Sequence, residues 1–142
     1  MTAEQTADVM RRYLTEVVGE GKLELLDEIA APDMVDHTAV AAGWGTGRQG
    51  LVRHVTYFRE TLPDLTVTIE RLIASADEVV GIWRVAGSHA GPLFGYPPTG
   101  RRLEWTNASV FRVADGRITD YSGVWGALEA VHGMGVLPEP AS

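Results

Sequence analysis

The 142-residue sequence contains no cysteine, so it has no disulfide, no thiol nucleophile and no thiolate metal ligand. It has no apolar run near the roughly 18 residues that a membrane-spanning helix needs, and no apolar signal segment at its N-terminus. Basic residues are scarce, because 12 lysines and arginines face 19 acids, for a formal net charge of −7. That charge repels phosphate backbones and anionic lipids. We therefore expect a cytoplasmic protein without nucleic acid or membrane partners.

The composition itself is typical of a folded globular protein. Hydrophobic residues make up 45% of the chain and charged residues 22%, which are ordinary values for a soluble domain. The length predicts one domain that covers residues 1–142.

Helical periodicity is confined to the first half of the chain. Apolar residues recur on one face of residues 2–18, which predicts an amphipathic helix. A second, short helix is predicted over residues 23–29, before Pro32, and a third over residues 51–62. The glycine-rich residues 33–50 between them are predicted to form a loop.

Beyond residue 64 the hydrophobic period changes to two, which predicts strands. The predicted strands cover residues 65–72, 79–89, 103–113 and 117–125, with a hairpin turn at Asp115-Gly116. Helices followed by strands predict an α+β fold, a bent antiparallel sheet with one apolar face covered by three helices. Residues 133–142 are predicted to be a fraying tail.

A glycine motif at residues 45–50 has the spacing G-x-G-x-x-G, and Glu70 follows 20 residues later. A dinucleotide site with this motif needs a buried strand directly before it. The polar residues 33–37 do not predict such a strand. The motif is therefore interpreted as a flexible loop near the mouth of a cavity.

The four histidines, His37, His54, His89 and His132, show no spacing typical of metal ligands. No metal is predicted. The sequence also lacks a phosphate-binding G-x-x-x-x-G-K-[ST] loop, so no nucleotide cofactor is expected.

Side-chain alternation selects three polar residues for a ligand pocket. Period two places His89, Asn107 and Asp120 on the apolar faces of their strands. Those faces also carry Trp83 and Val85 on the first strand, Trp105 and Phe111 on the second, and Ile118 and Val124 on the third. An apolar surface with a few directed polar groups is typical of a ligand site. Structural roles stay open: Asn107 could satisfy a bulge, His89 could be solvated at a strand end, and Asp120 could pair with an arginine.

Three segments of the chain resemble the SnoaL-like polyketide cyclases, a family of the NTF2-like, ketosteroid-isomerase-like superfamily. They are Val35-Asp36-His37 with the following loop and Arg48-Gln49-Gly50, then residues 89–101 (HAGPLFGYPPTGR), then residues 111–118 (FRVADGRI). The resemblance implies a cone in which a curved antiparallel sheet, closed by three helices, surrounds a deep pocket. It also implies a homodimer or homotetramer.

The resemblance further implies cofactor-free, intramolecular aldol ring closure on a hydrophobic, polyketide-like substrate. The family's acid/base carboxylate corresponds to Asp120, two residues after the hairpin isoleucine. The family's pocket histidine corresponds to His89, and His37 is expected at the pocket rim. Ser122 and Gly126 depart from the tryptophan and aspartate of many relatives.

In the resulting hypothesis, Asp120 is the catalytic base, because burial among Trp83, Trp105 and Phe111 would make its carboxylate more basic. Asn107 and His89 would donate hydrogen bonds to the oxygens on which charge develops. The three aromatic residues would bind the substrate, and Tyr13 and Trp44 would line the entrance.

Three alternatives remain open. A ketosteroid-type isomerase would use the same fold and a carboxylate base to move a double bond. An epoxide hydrolase would need an Asp-Arg-Asp relay, and the Asp120 face offers no evident second acid or arginine. A non-catalytic binding module would keep the cavity without the chemistry.

Overall fold

The first helix begins at a capping box, as its sequence favours. In the computed structural model, which describes residues 1–136, the Thr2 hydroxyl accepts from the Gln5 N–H at 3.1 Å. The Gln5 side chain accepts in return from the Thr2 N–H at 2.8 Å. The helix α1 (Ala3–Arg12) continues as a π-helical segment (Tyr13–Gly19). This confirms the helix predicted over residues 2–18.

The other helical segments are shorter than α1, with the exception of α4. A 3-10 turn (Leu23–Leu25) leads into α2 (Leu26–Ile29), and these are followed by α3 (His37–Ala42), α4 (Gly47–Thr61) and α5 (Ala127–Gly133). Among residues 1–136, no helix has both the length and the apolar character that crossing a membrane requires.

Five strands form one sheet in the order β1-β5-β4-β3-β2. Their bounds are β1 (Ala30–Asp36), β2 (Thr66–Ala74), β3 (Glu78–Ser88), β4 (Arg102–Ala114) and β5 (Arg117–Trp125). The four strands β2 to β5 pair antiparallel, which confirms the four predicted strands. Odd-numbered residues of β4 from Leu103 to Val113 are buried, so one face of the sheet meets the helices.

The predicted loop over residues 33–50 is wrong, because this stretch contains β1, α3 and the first turn of α4. β1 pairs parallel with β5, so the sheet is mixed rather than wholly antiparallel. Asp33 and Asp36 weaken the strand pattern of β1. Polar residues of this kind are tolerated because β1 is an edge strand, with one side unpaired. The buried Asp36 side chain then caps α3 by accepting from the N–H groups of Thr38 and Ala39.

At the C-terminal end, α5 was not predicted. Its buried Ala130 packs against the core, and Gly133 is its last residue. Residues 137–142 of the predicted tail lie outside the described residues.

A β-bulge at Thr119 interrupts the alternation of β5. The register pairs Val113 with Ile118 but Arg112 with Asp120, so Thr119 is the extra residue. Beyond the bulge, Tyr121 pairs with the buried Phe111 and faces the core. The prediction that Ile118, Asp120 and Val124 share one face is therefore wrong.

Candidate active site

A cavity lies between the inner face of the sheet and the helices. Its aromatic lining consists of Tyr13, Phe58, Trp83, Phe94, Trp105, Tyr121 and Trp125, and its polar lining of Thr38, His54, Asn107 and Ser109. A mostly apolar wall with a few polar groups favours an apolar ligand that carries a small number of oxygens.

Aromatic rings form the wall and the mouth of this cavity. Trp105 and Trp125 meet edge to face with ring centroids 5.7 Å apart, and Phe94 lies 5.3 Å from Trp125. Trp44 stacks on Phe94 at 6.1 Å from outside the lining. The Phe94 N–H donates to the Tyr57 hydroxyl at 2.6 Å, which anchors the Phe94 backbone beside the cavity.

A chain of buried hydrogen bonds crosses one side of the cavity. The Trp83 indole N–H donates to Ser109 Oγ at 3.0 Å, and Ser109 Oγ lies 3.0 Å from the Tyr121 hydroxyl. Burial raises the pKa of Tyr121 to about 12 and raises the pKa of Tyr13 well above its ordinary value. Both phenols are therefore neutral hydroxyls at physiological pH.

Asn107 presents an unused donor to the cavity. Its Oδ1 accepts from the Trp105 indole N–H at 3.0 Å, and this contact orients the amide. Its Nδ2 is buried and has no hydrogen-bond partner within the described part of the chain. Because an unpaired buried donor is costly, its presence in a cavity wall points to a ligand oxygen as its partner.

Asp36 and His54 form a buried pair beside the same cavity. Asp36 is only 1% exposed, and its Oδ2 lies 2.8 Å from His54 Nδ1. A carboxylate only accepts hydrogen bonds, so Nδ1 of the imidazole is the donor. Sequence reasoning missed this pair, because a strand residue and a helix residue 18 positions apart share no periodicity.

The profile of the SnoaL-like polyketide cyclase family matches residues 7–131. This chain belongs to that family. A curated relative, the nogalonic acid methyl ester cyclase of Streptomyces nogalater, is 29% identical over 102 residues, which are 71% of this chain and 76% of the relative.

Solved structures share the fold, which confirms the predicted α+β, NTF2-like architecture. TsrD of Streptomyces laurentii superposes with a TM-score of 0.86 at 22% identity, over 96% of this chain and 99% of its own. Wild-type IdmH of Streptomyces antibioticus superposes with a TM-score of 0.78 at 30% identity, over 92% of this chain and 99% of its own.

The family's predicted carboxylate, Asp120, lies on the outer face of the sheet. It pairs across the strands with Arg112, and its Oδ2 lies 2.8 Å from His37 Nε2. The side chains of Asp120 and His37 are 34% and 56% exposed. The expected burial of Asp120 among tryptophans is therefore wrong, because the bulge at Thr119 turns it outwards. Neither residue belongs to the cavity lining, and their predicted roles stay predictions.

His89 is buried at the end of β3, outside the cavity lining. The Thr99 backbone N–H donates to His89 Nδ1 at 3.3 Å, so the ring holds the segment 89–101. Burial lowers the pKa of His89 from its ordinary 6.5. The Nε2 of His89 is buried and has no hydrogen-bond partner within the described residues, and its predicted contact with substrate oxygens stays a prediction.

The aromatic residues predicted to contact substrate fall into two groups, those that line the cavity and those that lie outside its lining. Tyr13, Trp83 and Trp105 line the cavity, whereas Phe111 lies beneath Tyr13 at a centroid distance of 5.1 Å. Trp44 also lies outside the lining, where it stacks on Phe94, and its predicted place at the entrance stays a prediction.

Charged and metal-binding groups are sparse around the cavity. Within residues 1–136, no three His, Cys, Asp or Glu side chains converge as a metal site. The described lining contains no arginine, so it offers no Asp-Arg-Asp relay of the epoxide hydrolase type.

Proposed function

We propose that this protein is a polyketide cyclase that closes a ring in an apolar substrate by an intramolecular aldol-type reaction, without a cofactor. Family membership and the aromatic cavity support this proposal. The observation that carries it is the buried Asn107 amide, whose Nδ2 has no protein partner in the described chain. An enolate or alkoxide oxygen is a suitable acceptor for that donor.

The reaction needs a base, a hydrogen-bond donor for the developing negative charge, and a cavity that folds the substrate. A carbon between two carbonyl groups loses a proton, and the electron pair delocalises onto the carbonyl oxygens. The enolate carbon then forms a bond to a second carbonyl carbon of the same molecule, and the new alkoxide takes up a proton. Negative charge therefore resides on oxygen throughout the ring closure.

Asn107 is oriented before the substrate arrives, because the Trp105 indole N–H holds its Oδ1. A donor that need not reorganise in a dry site lowers the barrier by about 2.7 to 4 kcal/mol in comparable enzymes. Trp105, Trp125 and Phe58 surround the same space and would hold a flexible chain folded, so that its reacting carbons meet.

The test uses nogalonic acid methyl ester, the compound that appears in the name of the curated relative. Liquid chromatography with mass spectrometry and NMR would show a product with one more ring and an aldol hydroxyl. A shifted double bond without a new ring would instead indicate an isomerase. Tight binding without conversion would indicate a binding module and contradict the proposal.

Asn107→Asp is the informative variant, because it keeps the shape and the Trp105 contact but replaces the donor with an acceptor. We expect kcat to fall about 10²- to 10³-fold. Ala108→Ser, on the opposite face of β4, is the matched control and should keep the wild-type rate. Asn107→Asp at more than a third of the wild-type kcat would contradict the role of the amide.

The homodimer or homotetramer and the cytoplasmic location remain predictions. Light scattering of the purified protein and fractionation of the producing cells would test them.

A further inference from the structure

The cavity contains a second polar group that the proposed reaction needs. Ring closure requires a base that removes a proton from carbon and a proton source for the new alkoxide, and one titratable side chain can serve as both. Asn107 cannot do so, since an amide does not titrate in this range, and Tyr13 and Tyr121 are held neutral by burial. His54 is the histidine in the cavity lining.

We propose that His54 is the proton-transfer residue of this cavity and that Asp36 is its positioning residue. This inference rests on the proposed cyclase function and names the base for it.

Asp36 is held so that it can direct the imidazole. Its Oδ1 accepts from the N–H groups of Thr38 and Ala39 at 3.0 and 3.2 Å, at the start of α3. These bonds occupy one oxygen and leave Oδ2 for His54 Nδ1 at 2.8 Å. With Nδ1 donating to the carboxylate, the neutral ring carries its lone pair on Nε2.

The ring of His54 is also fixed by its neighbours. Trp44, Phe58 and Tyr121 lie with ring centroids 5.4, 5.6 and 5.4 Å from the imidazole. Within the described residues Nε2 has no hydrogen-bond partner, and the side chain remains 12% exposed, so a ligand in the cavity can reach it. The arrangement is a base supported by a carboxylate, as in other enzymes that orient a histidine this way.

In the reaction, Nε2 takes the proton from the carbon between two carbonyls, and the C–H electron pair enters the enolate. The enolate carbon bonds to the second carbonyl carbon, whose π electrons move to its oxygen. That oxygen then takes the proton from Nε2–H. Protons and electrons balance within the substrate and His54. No oxidant or reductant takes part.

The first test compares His54→Ala with the wild type in the cyclisation assay. General base catalysis contributes about 10²- to 10⁴-fold, so kcat should fall by at least about 100-fold. Added imidazole should restore part of the rate with saturation, which a merely structural loss would not show. A His54→Ala rate within threefold of the wild type, or a fully lost rate that no imidazole concentration restores in a folded protein, would overturn the proposal.

Asp36→Asn tests the positioning residue without removing the helix cap. The amide oxygen can still accept from Thr38 and Ala39, so the NH₂ group must face His54 Nδ1. The ring would then carry its proton on Nε2 and lose its base. We expect kcat to fall at least about 100-fold, with unchanged circular dichroism. Imidazole ¹⁵N NMR should show the change of tautomer, and an unchanged tautomer with unchanged kcat would overturn the positioning role.

Asp120→Asn separates this proposal from the earlier prediction for Asp120. Asp120 lies on the outer face beside Arg112 and outside the cavity lining, so this variant tests the earlier prediction independently of His54. Loss of rate in Asp120→Asn with full rate in His54→Ala would overturn the role of His54 and leave the cyclase function intact. Failure of the wild type to convert the substrate would instead count against the proposed function.

Discussion

Replacing Ser109 with alanine should break the buried hydrogen-bonded chain that connects β3, β4 and β5. Ser109 is 1% exposed, and its Oγ accepts from the Trp83 indole N–H at 3.0 Å. Alanine leaves that N–H buried without a partner, which costs about 1 to 3 kcal/mol. The Tyr121 hydroxyl also loses a contact at 3.0 Å, and Tyr121 and Trp83 are only 5% and 8% exposed, which leaves little room for water to replace the serine.

We therefore expect the free energy of unfolding to fall by about 2 kcal/mol. For a chain of this size the melting temperature should fall by about 4 to 8 °C. Urea unfolding followed by tryptophan fluorescence gives the first quantity, and calorimetry gives the second.

Ser122→Ala is the matched control for this experiment. Ser122 pairs with Val110 on the outer face of the sheet, where substitutions usually change stability by less than about 0.5 kcal/mol. A Ser109→Ala variant as stable as Ser122→Ala would refute the reasoning that the Trp83 N–H depends on the Ser109 hydroxyl and finds no water in its place.

Two further predictions concern the segment that follows β3. Burial lowers the pKa of His89 below 6.5, so the unfolded chain binds a proton before the folded protein does. Stability should be full above pH 6.5 and decline as pH falls towards the lowered value. His89→Gln should flatten this decline in urea midpoints between pH 7.5 and about 5, and equal slopes would contradict it. At Gly91, an added Cβ would lie 2.5 Å from the Glu60 carbonyl oxygen, so Gly91→Ala should cost about 1 to 3 kcal/mol in thermal unfolding; an unchanged melting temperature would count against this packing.

Local pattern was enough to predict most of the elements. The helix over residues 2–18 and the strands β2 to β5 follow from periods of 3.6 and two, because each period aligns apolar side chains on one face. The hairpin turn at Asp115-Gly116 has positive φ at both residues, 53° and 78°. That turn conformation favours these residue types, so the sequence reveals it without any tertiary contact.

Elements that depend on distant partners were not predictable in this way. β1 carries a proline and two aspartates among its seven residues, and its parallel pairing with β5 supplies hydrogen bonds that no local pattern predicts. Helix α3 is six residues long and begins at the buried Asp36 cap. β1 overlaps residues 33–50 and α3 lies within them. The glycines and polar residues of that stretch predicted a loop.

The same distinction between local pattern and tertiary contact applies to the residues of the candidate site. The sequence by itself determined that Asn107 shares the face of Trp105, because unbroken alternation along β4 is a local property. Only the tertiary structure decided that Asp120 faces outwards and that Asp36 reaches His54. A single bulge at Thr119 reverses every later side chain of β5, and strand pairing, rather than composition, sets its place.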